Sequence, residues 1–366
     1  MSKKGHDAEG NKPRKKSKAA AYFVRFLAAV LGLAIGFCLY WVYIFGGTFV
    51  SVPVVNKEDY STMDLSEGGS TTGGDVTSSW SDGGHTRLYY DPSHPIIEVK
   101  QKDPNIENIL VFGIDARGTD DYACRTDCMM ILSINRKDNS LKIISLMRDM
   151  AVYIGDTEDT LGTRLNKLNS AYHFGGVGEM INTINVTFGL DIQRFIMFDF
   201  GSASDMIDLV GGVDIEIKPE EVSYLNGYLD EINALDGNYS SHLTQGGIQT
   251  LDGHQAVAWS RIRYLDSDFV RASRQRTVAT AMMTKVNGMS YGQKLQLLND
   301  SAGVFETNMN TADIMRVALN CFACLENREE YRFPEDGTYT VQNDPWMMLI
   351  DFDEQKQRIN DYIWGE

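Results

Sequence analysis

The chain has 366 residues, 43% hydrophobic and 23% charged, with 34 Lys+Arg against 50 Asp+Glu and a formal net charge of −16. That size allows one large domain or two small ones with a full core, and the composition excludes a wholly disordered, collagen-like or multi-span chain. Five Cys exclude a disulfide-dense scaffold, and the acidic balance excludes a general nucleic-acid binder, so no nucleic-acid partner is expected.

In chain order, residues 1–50 hold eight Lys/Arg and two acids, leaving 26 basic against 48 acidic residues in the rest. A basic head on an acidic body predicts that the two ends lie in different compartments. Phe26–Phe45 (FLAAVLGLAIGFCLYWVYIF) carries no charge. As a helix it is about 30 Å long, the thickness of a bilayer core. A cleaved signal peptide has a shorter apolar stretch. This one ends in Tyr40, Trp41 and Tyr43, residues suited to a membrane interface. The expectation is an uncleaved transmembrane anchor at 26–45, with a basic cytoplasmic tail at 1–25 and the acidic body outside the cell membrane. A Gly/Ser/Thr-rich stretch then predicts a flexible extracytoplasmic linker over 46–104. The folded domain is expected over 105–366.

Within that domain, strands are expected at Asn108–Ile114, Cys128–Ile134, Leu141–Met147, Ile192–Phe198 and Val213–Ile217. Helices are expected at Arg164–Phe174 and Val177–Phe188, broken by Gly175-Gly176, and at Ser202–Val210, Gly253–Arg261, Val270–Val286 and Ile314–Glu326. Residues 226–250 read as loop. Short strands near Tyr331–Phe333 and Thr338–Val341 precede a last helix from about Asp353. The alternation predicts an α/β or α+β class with a largely buried central sheet.

There is no P-loop, no HExxH and no GxSxG, and none of the six His is spaced as a zinc pair. The remaining polar signal is Asp plus Arg. Asp115 ends the first strand and Asp127 opens the second; two carboxylates at adjacent strand ends suit one hard cation such as Mg²⁺, or are two surface acids. Arg148-Asp149 follows the third strand. Arg261, Arg263, Arg271, Arg274 and Arg276 crowd one short stretch, which suits either a pyrophosphate or a set of salt bridges. On a helix Arg271 and Gln275 share a face, and Arg274 falls off it, toward Asp268 or a Glu elsewhere. Cys124 and Cys128 bracket Arg125–Asp127, and Cys321 and Cys324 sit one helical turn apart; disulfides between the pairs and free thiols are both open.

Seven segments in order, NILVFGIDARG, RTDCMMILSIN, SLKIISLMRDM, RLNKLNSAYHFGG, FIMFDFGSASDMIDLVGGVDIEI, LDGHQAVAWSRIRY and DSDFVRASRQRTV, together resemble the LytR–CpsA–Psr family. The resemblance covers most of residues 106–286. It implies an extracytoplasmic α/β/α-like domain, a central mixed sheet flanked by helices. It implies a phosphotransferase that moves a glycopolymer from undecaprenyl pyrophosphate to peptidoglycan, with the polymer being wall teichoic acid, capsule or another wall polysaccharide. Carried over by position, Asp115 and Asp127 look like Mg²⁺-binding carboxylates, and Arg125 and Arg148 like pyrophosphate clamps. Asp115 is also the expected base, with a substrate phosphate oxygen as the alternative. Arg261, Arg263, Arg271 and Gln275 match substrate-binding positions. Lys167 is either a positive charge at the mouth or a helix-surface lysine, and Asp149 orients Arg148. Two departures stand out: Met147 occupies the usual Pro position before Arg-Asp, and Cys128 replaces the Ser or Thr that often follows the second Asp. The competing readings are a non-catalytic lipid-pyrophosphate binder that regulates wall assembly and a pyrophosphate hydrolase.

Overall fold

The computed structural model describes residues 52, 54–56, 91, 93–114, 124–155, 164–236, 239–263, 265 and 268–365. The expected tail, anchor, most of the linker and Asp115 lie outside the described residues. No helix of the described residues is long and apolar enough to cross a membrane.

The centre is a five-stranded sheet built from β3 (Ile106–Ile114), β4 (Thr126–Asn135), β5 (Ser140–Leu146), β8 (Arg194–Phe198) and β11 (Arg328–Phe333). The spatial order is β11-β5-β4-β3-β8. The β3–β4 and β4–β5 pairs are antiparallel, whereas β3–β8 and β5–β11 are parallel, so the sheet is mixed. Side chains alternate across it with period two. Leu110, Phe112, Met129, Ile131, Ile144 and Leu146 enter one core. Val111, Met130, Leu132 and Ile134 point to the other face.

The first face is covered by α1 (Ala171–Phe188) and α8 (Phe352–Trp364). Tyr172, Met180, Ile184 and Phe188 of α1 are fully buried there. Gly175 and Gly176 break helical geometry inside α1, and Gly176 takes φ 66°, a left-handed value that glycine tolerates. The opposite face is roofed by α2 (Phe200–Leu209), α5 (Asp268–Gly288), α6 (Tyr291–Asp300) and α7 (Thr311–Cys324). Beside it, α3 (Val222–Asp236), α4 (Gly253–Ser260) and the hairpin of β9 (Val213–Ile217) and β10 (Gly247–Leu251) form a second core around Leu225, Leu229 and Ala256. Helix starts follow local chemistry: Asp199, Asp252, Ser290, Asn310 and Asp351 each accept an N–H of the first turn.

Several expectations are corrected. Arg164–Phe174 is not one helix. Arg164–Lys167 is strand β7, paired antiparallel with β6 (Ala151–Ile154), and a 3₁₀ turn leads into α1. Residues 226–250 are not mainly loop: α3 and β10 occupy much of the stretch. The linker does not extend to 104, because β2 (Ile96–Ile97) pairs with β1 (Val54–Val55) and Ile96 is buried in the main core. Asn182 of α1 holds this strap from both sides, accepting the Ile97 N–H at 2.9 Å and donating to the Pro95 carbonyl at 2.8 Å. A hairpin of β12 (Tyr339–Asn343) and β13 (Trp346–Ile350) completes the strands of the described residues.

Candidate functional site

Antiparallel pairing puts the start of β4 beside the end of β5, so Asp127 and Arg148 meet on one rim of the sheet. Arg148 Nη1 lies 2.5 Å from Asp127 Oδ1. Arg271, in the first turn of α5, approaches the same carboxylate, Nη1 lying 3.7 Å from Oδ2. Gln275, one turn on, lines the same recess. The helical spacing of Arg271 and Gln275 therefore places both at one site.

Behind Arg148 stands Asp149, only 1% exposed. Its Oδ2 faces Arg148 Nε at 3.3 Å, and its Oδ1 takes Lys167 Nζ at 2.7 Å. Asp149 thus holds Arg148 in place. Lys167 is neither a helix-surface lysine nor an open charge. It ends β7, spends its charge on Asp149, and lies 5.4 Å over the Trp346 ring.

The rest of the basic cluster divides. Arg274 is a structural residue: Nε and Nη2 donate to Glu221 Oε1 at 2.9 and 2.8 Å, and Nη1 donates to the Ile262 carbonyl. Burial pushes the Glu221 carboxyl up, but hydrogen bonds from the Trp259 indole, the Lys218 N–H and Arg274 outweigh it and hold it below the usual range. Arg261 caps α4, lies 4.6 Å over the Phe200 ring and 5.3 Å over the Tyr228 ring, and reaches Glu231 at 3.5 Å. Arg263 and Arg125 are exposed. The structure therefore joins Asp127, Arg148, Arg271 and Gln275, while Arg261 packs on Phe200 and Tyr228 and lines neither cavity.

Asp127, Cys128 and Gln275 also line a second, far larger cavity. It holds about 400 Å³ and runs between the sheet and helices α2, α5, α6 and α7. Its walls are apolar: Val111 and Leu132 from the sheet, Met206, Met282 and Val286 from helices, and Phe322 from α7. The sequence signal for the sheet side of these walls is the second, non-core register of β3 and β4.

Cys128 sits where the polar mouth and the apolar cavity meet. Burial and the neighbouring Asp127 carboxylate push its thiol up to about 12. Cys124, Cys128, Cys321 and Cys324 are free thiols, which settles the open question of pairing among them.

Among the described residues no group of three His, Cys, Asp or Glu is placed to hold a metal. Asp127 is a single carboxylate facing two guanidinium groups. Mg²⁺ commonly binds one or two carboxylates and completes its shell with phosphate oxygens and water, and one carboxylate at the mouth fits that pattern. Ile114, the last described residue before Asp115, pairs with Thr126, the neighbour of Asp127.

A mixed sheet with helices on both faces, an arginine–carboxylate rim and an apolar cavity opening beneath it define the class of α/β protein to which these features belong. The chain belongs to the LytR–CpsA–Psr family, whose model (LytR_cpsA_psr family) matches residues 76–357. Among its relatives is TagU of Bacillus cereus, a polyisoprenyl-teichoic acid–peptidoglycan teichoic acid transferase. It is 30% identical over 246 residues, 66% of this chain and 72% of that protein. TagV of Bacillus subtilis, a transferase of the same description, is 26% identical over 221 residues, 60% of this chain and 53% of that protein. In fold, the crystal structure of B. subtilis TagT matches with a TM-score of 0.55 at 21% identity, covering 73% of this chain and 94% of that one. TagT bound to LI-WTA matches with a TM-score of 0.57 at 21% identity, with the same coverage.

Proposed function

We infer that this chain transfers a glycopolymer from a polyprenyl-pyrophosphate carrier to peptidoglycan. One juxtaposition carries the inference: Arg148, Arg271 and Asp127 line the mouth from which an apolar cavity of about 400 Å³ leads away under the sheet. A lipid pyrophosphate has the matching shape, a multiply charged head on a long apolar tail. Its burial is driven by the tail, and its orientation is fixed by guanidinium forks on phosphate oxygens. The transferases TagU and TagV, named for polyisoprenyl-teichoic acid and peptidoglycan, support these substrate classes.

In the reaction the acceptor hydroxyl oxygen attacks the sugar-bearing phosphorus. A new O–P bond forms as the bond to the bridging oxygen breaks, and polyprenyl phosphate leaves with the electron pair. Arg148, steadied by Asp149, and Arg271 stabilise the charge that grows on the phosphates. Gln275 binds beside them, Arg261 and Arg263 contact substrate at the outer rim, and Arg125 clamps the pyrophosphate from outside. The hydroxyl proton goes to Asp115 or to a substrate phosphate oxygen. Asp127 and Asp115 would hold Mg²⁺, which would supply neutralisation of pyrophosphate charge. Residues 26–45 anchor the protein in the cell membrane, residues 1–25 face the cytoplasm, and the domain works outside.

The test uses the full chain in detergent or lipid nanodiscs. It is given a short polyprenyl-pyrophosphate saccharide and peptidoglycan oligomers, with and without Mg²⁺, and products are read by mass spectrometry. A phosphodiester-linked glycan–peptidoglycan product that needs Mg²⁺ is expected. Free sugar phosphate alone would replace the ligase with a hydrolase, and binding without turnover would replace it with a regulatory binder.

A further inference from the structure

The recess at the mouth is a small cavity between β4, β5 and α5, lined by Asp127, Ser145, Arg148, Arg271, Gln275 and Arg276. Its space is about 20 Å³. That holds one water-sized oxygen and is too small for a whole phosphate group.

Its lining includes two buried polar atoms, Ser145 Oγ and Arg276 Nη1, that have no hydrogen-bond partner and whose side chains make no other hydrogen bond or ion pair among the described residues. Ser145 is 5% exposed and pairs across the sheet with Met130, whose side chain lines the large cavity. Both orphan atoms are donors, and leaving a buried donor unpaired is costly. Three guanidinium groups, Arg148, Arg271 and Arg276, line this cavity with one carboxylate, Asp127. Burial and the nearby Arg332 both depress the pKa of Arg276, against the pull of Glu330 and Cys128. The site has donors and positive charge in excess, which is the profile of an oxyanion receptor.

We propose that Ser145 and Arg276 form an oxyanion pocket that receives one oxygen of a phosphate-bearing ligand seated at the Arg148–Arg271 mouth. Neither residue is among the site positions implied by the family resemblance. The proposal rests on the reading that this mouth binds a pyrophosphate, and it adds a deeper contact to that site. An oxygen in the pocket accepts from the Ser145 hydroxyl and from Arg276 Nη1, satisfies both orphan donors, and offsets the like charge of Arg332. Free pyrophosphate and a lipid-linked pyrophosphate share this chemistry, so both serve as probes.

Binding of inorganic pyrophosphate and of a short-chain polyprenyl pyrophosphate is measured by calorimetry on the full chain in detergent. The variants are Ser145→Ala, Arg276→Gln, Arg276→Lys and Arg148→Gln, each with a ligand-free unfolding midpoint. Arg276→Gln is expected to weaken binding roughly tenfold, or about 1.4 kcal/mol. Arg276→Lys falls in between, because it keeps the charge and loses the fork. Ser145→Ala is expected to weaken binding about threefold, as one neutral hydrogen bond is lost. The double variant Ser145→Ala/Arg276→Gln is less than additive, since both residues act on one oxygen. Unchanged binding in both single variants, with binding lost in Arg148→Gln, overturns the pocket and leaves the mouth standing. No binding of either probe by the unaltered protein overturns both. Should Arg276→Gln fail to fold, Ser145→Ala still decides the matter.

Discussion

Arg148 and Asp127 lock together across the ends of two antiparallel strands, Nη1 to Oδ1 at 2.5 Å, and Arg271 closes on the other oxygen of the same carboxylate. Neither partner is fully buried. The Asp127 carboxylate holds two guanidinium groups at the mouth, the groups that the proposed phosphate ligand would compete for. Replacing Arg148 or Asp127 by Ala is expected to cut kcat on the order of 10²–10³-fold, the range for removing a charge-stabilising donor. The unfolding midpoint should move little. Product formation measured beside the melt checks this; full activity in both variants would sink the site.

Glu221 and Arg274 behave differently because they lie inside the second core, both about 3% exposed in their side chains. Glu221→Gln leaves the Arg274 guanidinium buried without its counter-charge. The expected loss is about 3–5 kcal/mol of stability, the range for breaking one side of a buried pair. The native carboxyl is held below its ordinary range, so its contribution is complete above the unfolded Glu value of about 4.3 and disappears as pH falls through the native value. Denaturant melts from pH 7 to pH 3 should show an acid-labile component in the unaltered protein that the variant lacks.

The Cys128 thiol, pushed up to about 12, is neutral at physiological pH. Thiolate is the reactive form, so iodoacetamide at neutral pH should label it far more slowly than a free cysteine of ordinary acidity. Peptide mapping with and without reductant should give the same labelling at Cys124, Cys128, Cys321 and Cys324. A reductant-dependent difference would contradict the free thiols.

The apolar cavity offers a test of tail length. Ala279 on α5 and Ala318 on α7 both line it. Ala279→Phe or Ala318→Phe adds bulk to existing space, so stability should hold or rise, as cavity filling does. Turnover should fall for long-chain polyprenyl donors and persist for short ones. Equal loss for all chain lengths would mean that the cavity does not take the tail.

Gly178 touches the strap that begins the domain. A Cβ there would stand 1.7 Å from the His94 carbonyl oxygen, a backbone atom that has no rotamer to yield. Gly178→Ala should therefore dislodge residues 94–97 and cost about 1–3 kcal/mol, as overpacking does. Faster hydrogen exchange at the Ile97 N–H would locate the damage.

The central strands were legible because their patterns are strong: Val213–Ile217 matches its expected bounds, and β3, β4 and β5 differ only at their ends. Helix α3 also carried a signal, since Leu225, Leu229 and Ile232 follow an i, i+4, i+7 spacing and are buried. Its Asn and Gly residues hid that spacing. Helix α6 was announced only by the Ser290–Gln293 capping box. Strand β7 was misread because its strand form depends on pairing with β6, a tertiary choice that local propensity does not encode. At the site, the shared face of Arg271 and Gln275 was readable from helical spacing. That Arg274 leaves this face for an acid elsewhere was readable too; which acid was not, because Glu221 lies far away in sequence.

Helix α5 has 21 residues and two employments. Its first turns carry Arg271 and Gln275 at the mouth, and farther along Val278, Met282 and Val286 wall the cavity. A helix of this length spans about 30 Å as one stiff rod. Whatever fills the cavity therefore presses on the same body that aims Arg271. If the proposed donor seats its tail there, a tail of the wrong length would be felt as a misaligned charge at the phosphorus. Selectivity for the lipid should then appear in kcat and not only in affinity, because remote contacts contribute to the alignment of the reacting groups.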